Sequence, residues 1–322
     1  VMVDAVEALS GGNIIAVLFL TAVISLILGM GLPTTANYIV VSSLMAIVIV
    51  ELGAQSGLIV PLIAVHLFVF YFGIMADITP PVGLAAFAAA AISGGDPIKT
   101  GLISFFYSLR TAALPFLFIY NTDLLLIDVT WLTAIGTFVT ATIAMLLFAA
   151  ATLGYFLVRS RLYESAALLL IAFILFRPGF WMDLITPPFH DVSATSLIKA
   201  AGSAEPGTEI RLQIAGEDDF GNPKVFFVPL ALAAGVDGKA RLEAMGIELL
   251  EKDGAVTIDA VAFGSKAQKA GLKFDQKIQS ARIAANQPPK QIMWAGGLIL
   301  LVGVVLMQRR RRARSAPAAL AA

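Results

Sequence analysis

The chain has 322 residues, of which 58% are hydrophobic and 14% charged, and its formal net charge is zero. Average soluble domains carry about 25% charged residues, so this composition argues against an ordinary globular protein and for a bilayer as solvent. The zero net charge averages two regions: 9 charged residues fall in positions 1–158, 26 in 183–290 and 9 elsewhere. There is no cysteine, which excludes disulfides and thiolate metal sites. His66 and His190 stand alone and are assigned packing or surface roles rather than ligation. No nucleic-acid partner is expected.

Position 1 is Val, and no basic segment or cleavage site precedes the first apolar stretch, so the start does not read as a signal peptide. The chain is expected to be the C-terminal portion of a longer membrane protein whose preceding helices are missing. The first apolar stretch, 13–50, has arms at 14–28 and 36–50 separated by GMGLPTT at 29–35. At 1.5 Å per residue each arm reaches only about 22 Å, against roughly 30 Å of hydrocarbon. Two short arms around a Gly/Pro centre predict a re-entrant hairpin. Two ordinary tilted helices are the alternative.

Residues 58–92 as one helix would run to about 52 Å, too long for a straight span. The run DITPPVG at 77–83 breaks it, because adjacent prolines remove amide donors and clash with the preceding turn. Backbone freed at membrane depth must face protein or a water-filled cavity. Clean spans follow at 102–120, 131–158 and, with Arg at its inside end, 162–181; the last, 292–307, is short but uninterrupted. Arg159 and Arg161 lie between two of these, and RRRRAR at 309–314 follows the last, so both clusters are expected in the cytoplasm. Segment 183–290 is then outside, and Trp131, Trp181 and Trp294 fall at outer helix ends. Counting back, loop 121–130 is outside, loop 93–101 inside, and the hairpin opens outward. The organisation expected is 1–130 as a transport segment, 131–182 as two further helices, 183–290 as a periplasmic domain, 291–308 as the last span and 309–322 as a cytoplasmic tail.

Three stretches, GMGLPTTANYIV, ADITPPVGLAAFAAAAISGGDPIKTG and LRTAALPFLFIYNTDLLLI, resemble the final third of the large membrane subunit of TRAP transporters (tripartite ATP-independent periplasmic transporters), and within them the fused-permease, TAXI-associated branch. The likeness covers roughly 10–130. It implies the second half of an inverted-repeat, elevator-type importer: a mainly α-helical polytopic membrane protein with a re-entrant hairpin and a broken helix. It further implies coupling to sodium, a periplasmic substrate-binding protein as partner, a small carboxylate as solute, and a bacterial inner-membrane location. The first repeat of the same permease would be the missing N-terminal part.

The residues expected at the ion and substrate site are Gly29, Gly31, Pro33, Thr34 and Thr35 in the hairpin, and Asp77, Thr79, Pro80, Pro81, Val82 and Gly83 in the broken helix. Sodium wants oxygen ligands, which backbone carbonyls at a half-helix end supply. Gly29, Gly31 and Gly83 let backbone approach without a Cβ, and Thr34, Thr35 and Thr79 offer hydroxyls. Simple helix breaking and capping are the rival roles. Asp77, the only acid in its apolar stretch, has three readings: cation ligand, partner of a basic residue such as Arg110, or N-cap of the second half-helix. Arg110 either pairs or snorkels toward the interface. No organic cofactor, metal-ligand cluster or catalytic constellation is legible, so no enzyme is expected.

Within 183–290, MGIELLEKDGAVTIDAVAFGSKAQKAGLKFDQKI alternates apolar and polar residues between glycines and predicts short strands and turns. GSKAQKAGLKFDQKI resembles the helix-and-turn signature of PDZ-like domains, which implies a small β-rich fold. This leaves a second functional class open, a membrane-anchored periplasmic peptide-binding or regulatory protein.

Overall fold

The computed structural model describes residues 6, 9–11, 13–217, 223–252 and 254–315. It divides into two compact units. One comprises Val1–Val17, Ile47–Val60 and Pro187–Gln287; the other comprises Leu18–Ala46, Pro61–Thr186 and Pro288–Ala322.

The helical part begins with α1 (Ile14–Gly29) and α2 (Thr34–Gln55), separated by a break at 30–33. The second arm is longer than the sequence reading allowed: α2 continues through Glu51 to Gln55 rather than stopping at residue 50. Its 22 residues reach about 33 Å, long enough to cross a membrane, whereas α1 is not. Glu51 and Gln55 are good helix formers, so polarity there ends the apolar run without ending the helix. After α2 come α3 (Leu62–Met75), a 3-10 turn at Ala76–Ile78, and α4 (Leu84–Ser93).

α5 (Pro97–Tyr120) starts with Asp96, whose carboxylate accepts from the Lys99 amide at 2.7 Å, and with Pro97 where a missing N–H costs nothing. α6 (Trp131–Leu153) is capped by Thr130 and ends at Gly154 in the left-handed region, φ 67°. The span expected at 162–181 is corrected. It is α7 (Leu162–Phe176) followed by α8 (Pro178–Ile185), bent by 84°. Pro178 has no amide to continue the ladder and its ring crowds the preceding turn; apolarity alone had masked that break. The last helix is α12 (Ile292–Ser315). Among the described residues, α2, α5, α6 and α12 are long and apolar enough to cross a membrane, and the bent pair makes a fifth candidate.

α6, α7 and α12 share a core of Ala144, Leu147, Leu168, Ile171, Leu175 and Val304. At one end of that core is a polar latch. Glu164, 1% exposed, accepts from the Arg161 amide at 2.9 Å, from Gln308 Nε2 at 3.0 Å and from Arg311 Nη2 at 2.8 Å. Gln308 is fully buried, and its Oε1 accepts from the Leu157 amide at 3.1 Å. A buried carboxylate is tolerable only with such a full set of donors.

The unit containing 187–287 is an antiparallel sheet with short helices: β1 (Phe189–Ser193), α9 (Leu197–Ser203), β2 (Glu209–Glu217), β3 (Pro223–Ala231), α10 (Gly238–Ala244), β4 (Ile247–Lys252), β5 (Ala255–Val261), α11 (Lys266–Lys269) and β6 (Lys277–Ala284). The strand order is β3-β2-β6-β5-β4, with β1 also on β6. Ile210, Leu212 and Ile214 point inward at the period of two that a half-buried strand requires, meeting Leu197, Met245, Ile258 and Ile278. Each such side chain contributes roughly 1.5–3 kcal/mol by leaving water. Gly246 sits at φ 88°, and a Cβ there would lie 2.3 Å from Ser265 Cβ, so only glycine fits between α10 and β4.

Candidate ion and substrate site

The two interrupted elements meet. α1 ends at Gly29, whose missing side chain is what lets it approach α3: a Cβ there would lie 2.5 Å from Ala76 Cβ, 2.7 Å from Asn37 Nδ2 and 3.2 Å from the Gly73 carbonyl oxygen. Gly73 faces the same amide, 2.9 Å from where its own Cβ would be. Asn37, in the first turn of α2, therefore fills a slot between two glycines. Its Nδ2 donates to the Ser25 carbonyl at 3.1 Å. Its Oδ1 is buried and has no hydrogen-bond partner. The side chain is wholly buried, and an orphaned amide oxygen in such a place costs about 1–3 kcal/mol.

A second bond closes the same junction. Thr34 Oγ1, at the first residue of α2, donates to Asp77 Oδ2 at 3.5 Å, joining the hairpin break to the 3-10 turn that ends α3. Asp77 is half-buried. It is not the N-cap of the second half-helix, one of its three sequence readings. That position is Gly83, in the left-handed region with φ 33°, six residues beyond the carboxylate. The Arg110 side chain lies outside the described residues.

Thr79 Oγ1 donates to the Met75 carbonyl at 2.6 Å, and the Thr79 carbonyl accepts from the Gly83 amide at 3.1 Å, so this residue closes both ends of the break. Pro80 and Pro81 form the turn, joined by a cis peptide. Pro80 leans on α5, its Cγ 3.1 Å from where a Cβ on Gly101 would be. Val82 is half-buried beside it. α4 then starts without a side-chain cap, leaving its first amides available to an acceptor. In the hairpin, the Pro33 carbonyl takes the Asn37 amide at 2.9 Å, while Thr35 and Gly31 are exposed. A Cβ on Gly31 would meet nothing within 4 Å, so its need for glycine differs from that of Gly29.

Asn37 escaped the sequence reading although it stands inside GMGLPTTANYIV. The available signal was a lone amide in the first turn of an apolar arm, directly after the tip. His66 takes a packing role: its Nδ1 lies 3.1 Å from Tyr38 Oη, tying α2 to α3. Among the described residues no group of three or more His, Cys, Asp or Glu is placed to hold a metal ion. Asn37 Oδ1 and the Asp77 carboxylate are hard oxygen donors, unlike the nitrogen and sulfur donors that suit transition metals.

A polytopic membrane protein with a hairpin and a broken helix meeting at glycines belongs structurally with transporters. Residues 2–135 match the family of the tripartite ATP-independent periplasmic transporter, DctM component, a transporter family and not an enzyme family. Residues 134–314 match the domain of unknown function DUF3394, and the chain belongs to that family. No curated protein and no solved structure matches the chain.

Proposed function

We propose that this chain supplies the second half of the transport machinery of a sodium-coupled TRAP permease that imports a small carboxylate. The observation that carries the reading is the junction of 30–33 with 76–83, closed by Thr34 and Asp77, with the buried, unpartnered Oδ1 of Asn37 one turn along α2 from Thr34. An oxygen there with no donor is what a bound cation would satisfy. Gly29, Pro33, Thr34 and Asp77 frame the cation, with Thr79 and the prolines holding the broken backbone open. Gly31, Thr35 and Val82 line the approach. The uncapped start of α4 offers amides and the positive end of its dipole to a substrate carboxylate.

The match to the TRAP family supports a periplasmic binding protein as the donor of solute, and the first repeat of the permease as the other half of the site. Arginines at 159, 161 and 309–314 support a cytoplasmic C-terminus and a periplasmic domain at 183–290. The unit that contains Pro187–Gln287 also contains the turn after α2, which fits a hairpin opening to that same side. A bacterial inner membrane is the location that follows.

The rival reading, a PDZ-like peptide receptor, draws on the free edge of β4 beside α10. The cavity there, lined by Ile198, Leu242, Glu243 and Leu249, is about 200 Å³, but the anchor of a peptide receptor has no need of paired helix breaks at 30–33 and 76–83. Transport is therefore preferred. The test is uptake of labelled C4 and keto acids into proteoliposomes containing the complete permease and its binding protein, with an imposed sodium gradient. Asn37→Ala and Asp77→Asn should each raise the sodium concentration for half-maximal uptake at least fivefold. Wild-type uptake indifferent to sodium would overturn the reading.

A further inference from the structure

The domain of unknown function carries a built grip on the transport segment. α2 ends in a Schellman arrangement: the Leu58 amide donates to the Gly53 carbonyl at 2.8 Å and the Gly57 amide to the Ala54 carbonyl at 3.2 Å, with Gly57 at φ 80°. Those bonds use up the local donors and leave the Gly57 carbonyl aimed outward at the negative end of a 22-residue helix. Arg211 of β2 takes it, Nη1 donating at 2.9 Å. Arg282 of β6 closes the other side, its Nη1 3.1 Å from where a Cβ on Gly57 would lie, and the Phe227 ring of β3 is 3.5 Å from the same point.

Both arginines are held by their own domain. Arg211 stacks on Phe189 at 4.1 Å and pairs with Glu209 at 2.7 Å. Arg282 stacks on Phe227 at 4.6 Å and pairs with Asp191 at 2.9 Å. This differs in kind from the Glu164 latch. If the turn left, Arg211 and Arg282 would keep their carboxylates and aromatic faces, so no bare buried charge would result and departure carries no large desolvation penalty. Removing Gln308 and Arg311 from Glu164 would strand a buried carboxylate. The first contact can part without stranding a buried charge; the second cannot.

We propose that the sheet domain is a releasable clamp on the turn between α2 and α3. That turn joins the two elements that meet at Thr34 and Asp77, so the position of the turn and the geometry of the site are linked through two helices. A contact made in one position and absent in another stabilises only the first. The clamp therefore restrains the transport segment, and its release speeds turnover. This assigns the domain an intramolecular partner, the 56–58 turn of its own chain, and it rests on the transporter reading only for the uptake arm of its test.

The test uses the complete permease in cells with permeabilised outer membranes, carrying Leu58→Cys and probed with an impermeant maleimide. Against the parent, Arg211→Ala with Arg282→Ala should raise the labelling rate about tenfold, as expected for loss of a charge-assisted hydrogen bond. Arg211→Lys with Arg282→Lys keeps charge and stem but loses the planar fork, and should raise it less. Lys239→Cys, on α10 away from the turn, should label equally in all backgrounds, which reports an intact domain. The double alanine variant should also raise maximal uptake at least twofold with the solute KM unchanged. Equal labelling of Leu58→Cys in all backgrounds overturns the clamp. Faster labelling with unchanged uptake overturns the restraint on turnover. Failure of uptake in every background, parent included, with labelling still responsive, would count against the transporter reading and leave the clamp standing.

Discussion

Asn37 Nδ2 lies 2.7 Å from the point where a Cβ on Gly29 would sit, so the last residue of α1 and the first turn of α2 cannot both carry side chains at this crossing. That relation sets which glycine of the hairpin tip is irreplaceable. Gly29→Ala should displace Asn37 or push α1 off α3, at a cost of about 1–3 kcal/mol for overpacking, and should reduce sodium-driven uptake at least tenfold. Gly31→Ala, with open space around it, should transport within twofold of the parent. Uptake measured side by side on equally expressed variants checks this, and equal damage from the two substitutions refutes it.

The polar latch makes a stability prediction. Glu164→Ala takes the acceptor from the Arg161 amide, Gln308 Nε2 and Arg311 Nη2 together and should cost about 3–5 kcal/mol, the sum of three hydrogen bonds to a charged group at the low end of their range. Gln308→Ala removes neutral bonds to Leu157 and Ser160 as well as one to Glu164 and should cost less, about 1–3 kcal/mol. Thermal unfolding in detergent gives the order: parent, then Gln308→Ala, then Glu164→Ala. The reverse order would show that the latch is not centred on the carboxylate.

How much of this was readable in advance depends on range. The breaks at 29–35 and 77–83 were legible because glycine and proline act on their own backbone, whatever surrounds them. The strands at 247–252 and 255–261 were legible from alternation. Asn37 was not, because its isolation depends on Gly29 and Gly73, brought in by α1 and α3. Nor was the grip of Arg211 on Gly57, which joins positions 154 residues apart. The bend at Pro178 was a different kind of miss. The proline was in plain view, but an unbroken run of hydrophobicity was weighted above it.

The proposed topology rests on the basic clusters. Lys239→Cys should react with an impermeant thiol reagent in cells whose outer membrane is permeable, and Ala313→Cys should react only after the inner membrane is lysed. Labelling of Ala313→Cys alone in unlysed cells would invert the orientation.

The last prediction separates the clamp domain from the machinery it holds. The junction of Thr34, Asp77 and Asn37 is made wholly by residues upstream of the sheet. The segments that flank the sheet have contacts of their own: Lys290, just before α12, pairs through Nζ with Asp123 at 2.8 Å, and the carbonyl of Phe176, the last residue of α7, accepts from Asn121 Nδ2 at 2.6 Å. Replacing 187–287 with a flexible Gly/Ser linker, while keeping α8, α12 and the arginine tail on their native sides, should therefore leave the site intact. Sodium-driven uptake should persist at or above the parental maximal rate, because the restraint at Gly57 is gone. Deleting α12 as well should do more harm, since Gln308 and Arg311 are then lost from the Glu164 latch. Complete loss of uptake in the linker variant, with normal insertion and normal capture of the binding protein, would mean that the sheet domain takes part in the transport step itself.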